Sequence, residues 1–146
     1  MLAGAMAMAM VLLSTAVFGA DLGPARAEPN LEKRSKLALD NAAAMLQAAR
    51  EAYRKDDNAG VSAAVDELQE SVDLAFSSLN DTHKDPRRSP RWFKYAEIQT
   101  RGLLRKLDAF QQDMSFQDRP LLDKAKEDIQ QAHDKLLLGL MEGKRK

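Results

Sequence analysis

Apolar side chains recur at intervals of three and four in four successive stretches of this chain. In the first, Leu31, Ser35, Ala38, Ala42, Met45, Ala49 and Ala52 form one stripe, widened by Leu39, Leu46 and Tyr53. Val61, Val65, Leu68, Val72, Ala75 and Leu79 make the second stripe. Phe93, Ala96, Thr100, Leu103, Leu107, Phe110 and Met114 make the third, and Leu122, Ala125, Ile129, Ala132, Leu136 and Leu140 the fourth. A helix of about 3.6 residues per turn gathers such positions on one face, which then buries against a partner. No stretch alternates at period two, so no sheet is expected.

The residues between the stripes agree with this division. Asp56-Asp57-Asn58 separates the first two helices and supplies an N-cap. The longest connection, 80–88, contains Asp85-Pro86. Ser89-Pro90 then offers a cap and a first-turn proline. Asp118 or Ser115 can cap the fourth helix, Pro120 sits in its first turn, and Gly143 can close it. The spacing predicts helices over 31–55, 59–80, 90–112 and 118–142. Short links make successive helices antiparallel. The expected architecture is therefore all-α: an up-down-up-down antiparallel four-helix bundle. The alanines of the first stripe predict a helix packed close to its neighbours.

Ahead of the bundle, Leu2 to Ala20 carries no charge. Ala25-Arg26-Ala27 follows, then Glu28-Pro29. An apolar run ending in small residues three and one positions before a cut is the layout of an export signal. The expectation is a signal-peptide helix, Met1 to Ala27, cleaved after Ala27, with residues 28–146 as one periplasmic or secreted domain. An uncleaved membrane anchor is the competing reading. One feature departs from the usual layout: no Lys or Arg precedes the run, and the first basic residues are Arg26, Lys33 and Arg34.

Composition narrows the chemistry. There is no Cys, which rules out disulfides, thiolate metal sites, covalent c-type haem and a Cys nucleophile. Acidic and basic residues number 22 each, so no global charge draws the chain to nucleic acid or anionic lipid. The distribution is uneven, however. Residues 56–82 hold seven carboxylates (Asp56, Asp57, Asp66, Glu67, Glu70, Asp73, Asp81) and no Lys or Arg. Residues 84–106 hold Lys84, Arg87, Arg88, Arg91, Lys94, Arg101, Arg105 and Lys106 against only Asp85 and Glu97. Two readings follow. Either an acidic and a basic helix lie side by side and complement each other, or one face is basic and recruits an anionic partner.

The densest local cluster is Arg87-Arg88-Ser89-Pro90-Arg91-Trp92-Phe93-Lys94-Tyr95, which includes the only Trp. Cations interleaved with rings can grip an anionic polymer, headgroup or protein surface. For an exported chain the expected partner is a protein or an anionic cell-envelope component, with membrane-surface contact included and nucleic acid excluded. The partner-binding candidates are Arg87, Arg88, Arg91, Trp92, Lys94 and Tyr95. The structural alternative has Phe93 and Trp92 plug the bundle while Arg88 or Arg91 lies across a ring.

Leu136 to Met141 is apolar all round a helix. Either the bundle end closes over it, or Leu137, Leu138 and Met141 form a patch for another chain. His83 is expected in solvent and His133 at a seam edge. A haem held between Met45 and His133, as in b-type cytochrome bundles, is the alternative function, against an axial mismatch of about 7 Å. Neither His ends a Glu-x-x-His motif of the di-iron bundles, and no EF-hand loop is present. No cofactor or metal is assigned. Asp66, Glu67, Glu70 and Asp73 read as a solvated face. There is no phosphate loop, nucleophile elbow or His-Glu-x-x-His. The expectation is a binding protein rather than an enzyme.

Overall fold

The computed structural model describes residues 21–143. The apolar run 2–20, on which the export expectation largely rests, and the tail 144–146 lie outside the described residues. The described residues form α1 (Gly23–Ala27), α2 (Leu31–Arg54), α3 (Asn58–Asp81), α4 (Arg91–Asp113) and α5 (Pro120–Glu142), with no strand among them. The four long helices begin and end within two residues of the predicted positions.

Local chemistry sets these limits. Asn30 caps α2, its side chain accepting from the Lys33 N–H at 2.9 Å. Asp57 caps α3 by accepting from the Gly60 N–H at 2.9 Å. Gly143 ends α5 at φ 77°, a left-handed conformation that glycine adopts without strain, and its N–H reaches Gly139 O. The expected caps of the last two helices do not form. Pro90, not Ser89, is the cap residue of α4, and Arg119 is that of α5. Neither side chain caps, because Asp118 is engaged elsewhere and Ser89 lies one residue too early.

The four stripes become the core. Val61, Leu68, Val72, Leu79, Leu107, Phe110, Leu122 and Ile129 are almost fully buried. Each such side chain contributes about 1.5–3 kcal/mol relative to exposure. The most extensive interface joins α2 to α3. Ala38, Ala42, Ala49 and Ala75 are wholly inaccessible there, and small side chains let the two backbones approach. One buried polar pair crosses this seam: Asn41 Nδ2 donates to Ser71 Oγ at 2.8 Å. Ser71 Oγ in turn donates to Glu67 O at 2.7 Å.

The helices alternate in direction along the chain, but their order around the bundle is α2, α3, α5, α4. Contacts join α2 to α3, α3 to α5, α5 to α4 and α4 to α2, while α3 and α4 meet only slightly. The parallel pairs α3/α5 and α2/α4 are therefore neighbours. The idea that the acidic second helix complements the basic third is thereby corrected. These helices lie diagonally, and no ion pair among the described residues joins them.

The core divides along its length into two clusters. One holds Met45, Leu46, Leu68, Leu103, Leu107, Phe110, Leu122 and Ile129. At its outer end Tyr53 packs edge-on against Phe110, with centroids 5.8 Å apart. The Tyr53 hydroxyl donates to Asp118 Oδ2 at 3.1 Å and accepts from the Ser115 N–H at 2.8 Å. We call this the latch half. The other half holds Ala38, Leu39, Ala75, Leu79, Phe93, Ala96 and Leu136, and α1 packs into it. Leu22 is 3% exposed and Ala25 2%. Arg26 reaches Glu70 at 3.3 Å. The final residues of the segment read as a leader thus contribute side chains to the core.

Candidate functional site

The α3–α4 connection, 82–90, is built around Asp85. Its Oδ1 accepts from the Arg87 N–H at 2.9 Å, and its carbonyl accepts from the N–H groups of Arg88 and Ser89 at 3.1 and 2.9 Å. This turn holds Arg87 and Arg88 outward, both exposed. Pro86 rests against the last turns of α5, where a Cβ on Gly139 would lie 3.3 Å from Pro86 Cγ. The absence of a side chain there admits the connection.

The first turns of α4 carry the remaining candidates. Phe93 is buried; Arg91 and Lys94 are exposed; Trp92 and Tyr95 are half-buried. The Arg91 guanidinium lies 5.1 Å from the Trp92 ring centroid. Trp92 meets Tyr95 edge-on at 5.9 Å. The rings thus support the α1-half core and hold one cation in place. Among the described residues no ion pair engages Arg87, Arg88, Arg91 or Lys94. Lys84 differs, pairing with Glu32 at 2.5 Å.

The apolar run of α5 divides between the two expected roles. Leu136 is buried and Leu140 half-buried, both packed in the α1-half cluster. Leu137, Leu138 and Met141 stay 40%, 47% and 68% exposed. His133 Nε2 lies 3.0 Å from Glu97 Oε1 and fixes the register of α5 against α4. Along antiparallel helices, Leu137, one turn further, falls level with Phe93, next to Lys94, and Met141, two turns further, level with Ser89. Exposed apolar residues from the end of the chain therefore flank the basic turns of α4. Sequence reasoning had both groups but not their adjacency.

Met45 and His133 are not brought together as a ligand pair. Met45 is buried in the latch-half cluster on α2, and α2 is diagonal to α5. The His133 ring nitrogens face Glu97 at 3.0 Å and Asp134 at 3.5 Å. Glu97 also forms an ion pair with Arg101 at 3.4 Å. His83 is exposed in the connection, at φ 55°. Among the described residues no group of three or more His or carboxylate side chains is placed to hold a metal ion.

A groove of about 480 Å³ lies between α3 and α5, with the 82–90 connection at one end. It includes Asp73, which is exposed as the solvated-face reading expects, together with Asp128 and Lys135. Nothing local marks these three residues as neighbours. Only the α3/α5 adjacency brings them together.

No described helix is long and apolar enough to cross a membrane. No family model, no curated protein and no solved structure matches the chain.

Proposed function

We propose that this chain is an exported, non-catalytic helical bundle that docks on an anionic component of the cell envelope, best fitted by an anionic lipid surface. The observation that carries this reading is the face on α4 and its preceding turn. There Arg87, Arg88, Arg91 and Lys94 have no ion-pair partner among the described residues, beside exposed Leu137, Leu138 and Met141. Unpaired cations supply attraction to headgroups, about 1 kcal/mol each near an anionic surface. Exposed apolar side chains and amphipathic rings add burial at the interface. An acidic protein surface with an apolar centre is the competing partner, and vesicle binding separates the two.

Flotation with vesicles tests it, using phosphatidylglycerol mixed with phosphatidylcholine against phosphatidylcholine alone. The protein should float only with the anionic vesicles and should detach as salt shortens the screening length below about 8 Å. Replacing Arg87, Arg88 and Arg91 together by Gln should weaken binding more than about a hundredfold, the equivalent of about 3 kcal/mol, and leave helicity intact. A destabilised triple variant with normal vesicle capture would retire the reading.

Export rests on the run 2–20, and the mass of the protein isolated from its host reports on it. A first residue of Glu28 supports cleavage after Ala27 and means that Leu22 and Ala25 leave the α1-half cluster. Retention of Met1 in the membrane fraction supports the anchor.

A further inference from the structure

The groove between α3 and α5 has a polarity along its length. Its end nearer the latch half carries two carboxylates, Asp73 on α3 and Asp128 on α5. Asp128 accepts from Gln69, whereas Asp73 has no hydrogen bond or ion pair among the described residues. The middle is apolar, formed by Phe76, Ala132 and Leu136. The far end holds His83 and Lys135, neither engaged in an ion pair among the described residues. Asp128 and Lys135 stand seven residues apart on one helix, which sets about 10 Å between the acidic and basic ends.

We propose that this groove binds a linear organic zwitterion, with its ammonium group against Asp73 and Asp128, its apolar chain over Phe76 and Leu136, and its carboxylate toward Lys135 and His83. Two adjacent carboxylates facing an apolar floor favour an organic cation, because a third ligand for a metal ion is missing among the described residues. The volume lies in the range of small-molecule sites. Partial desolvation in the groove raises the carboxyl of the otherwise exposed Asp73 above its ordinary value, and the charges of Asp128 and Glu70 act in the same direction. A bound ammonium opposes this shift by favouring the ionised carboxylates, so the site holds charge that a ligand would neutralise. This groove is separate from the lipid-docking face, and neither reading needs the other.

The test uses 8-aminooctanoate, octylamine and octanoate as probes, titrated into the isotope-labelled protein as processed by its host. Amide shifts are followed by NMR. With 8-aminooctanoate, saturable shifts should appear along 73–84 and 128–139. Its affinity should exceed that of each single-charge probe about tenfold, the gain of one charge-assisted contact. Asp73→Asn and Lys135→Gln should each lose that factor with unchanged helicity. Asp73 makes no hydrogen bond among the described residues, so its variant separates ligand loss from misfolding. Absence of saturable shifts, equal affinity for the three probes, or unchanged affinity in both variants would overturn the proposal.

Discussion

The two halves of this bundle are built from the same four helices but to different ends. In the latch half, large side chains fill the interior, and Arg50 stacks 5.2 Å over Phe110. Asp118 accepts there from Tyr53, Ser115 and Asn58. Tyr53, Ser115 and Asp118 are thus tied to one another, while Phe116 in the same link stays 83% exposed. In the α1 half the interior is rich in alanine, and α1 supplies a share of it. Its surface carries unpaired cations, exposed leucines and the groove. On the proposed reading, binding belongs to the half whose side chains are left without partners among the described residues.

Substitutions sharpen that division. The largest effect is expected in the latch half. Leu68→Ala or Leu107→Ala should cost about 2–5 kcal/mol in urea unfolding, because each leaves a cavity among fully buried neighbours. A loss under about 0.5 kcal/mol would mean the core seam is misassigned. Leu22→Ala, in a chain that retains α1, should cost about 1.5–3 kcal/mol. A negligible change would show that α1 does not seal the α1 half in solution.

Tyr53→Phe comes next, at about 1–2 kcal/mol, because it removes both a donor to Asp118 and an acceptor for the Ser115 N–H. Thermal melts should resolve this. No shift would place the latch outside the stability of that end.

The smallest effect belongs to Asp73. Its carboxyl is raised in the folded state, chiefly by burial. The folded protein therefore holds that proton more tightly than the unfolded chain. The contribution of this one group to stability is therefore fully present below the ordinary aspartate value and is lost as pH rises through the raised one. Asp73→Asn should remove this decline. At neutral pH it should be neutral or stabilising by less than about 0.5 kcal/mol, with the gain vanishing at low pH. A clear loss of stability would show that Asp73 has a partner in solution.

The long helices were legible because their signals are local. Val61 to Leu79 and Phe93 to Met114 carry a period that needs only neighbours in sequence, and Asp57 announces its cap by residue type. The order of helices around the bundle is a long-range property. The acidic and basic segments looked complementary on paper and lie diagonally in space. For the same reason Leu137 beside Lys94, and Asp73 beside Asp128, were not foreseen. α1 was hidden differently, because Leu22 and Ala25 read as the end of an export leader, whose composition matches that of a buried helix. Of the candidate site, the residue types and exposure of Arg87, Arg88, Arg91 and Lys94 were readable. Their unpaired state depended on where the acidic helix went.

The contact between Asn41 and Ser71 has a meaning beyond its strength. The alanines of the seam, Ala38, Ala42, Ala49 and Ala75, are alike, so alignment of α2 on α3 is set by what stands between them: the larger side chains Leu39, Leu46, Leu68 and Val72, and this polar contact. A one-turn shift toward Ala75 would take the Asn41 amide away from both of its acceptors, Ser71 Oγ at 2.8 Å and Glu67 Oε1 at 3.3 Å, stranding a buried donor. A polar residue at one seam position is a known means of fixing helix alignment. Here it acts as a stop against that shift, a polar pawl that lets α2 settle in one position on α3 where apolar contact alone would tolerate some play.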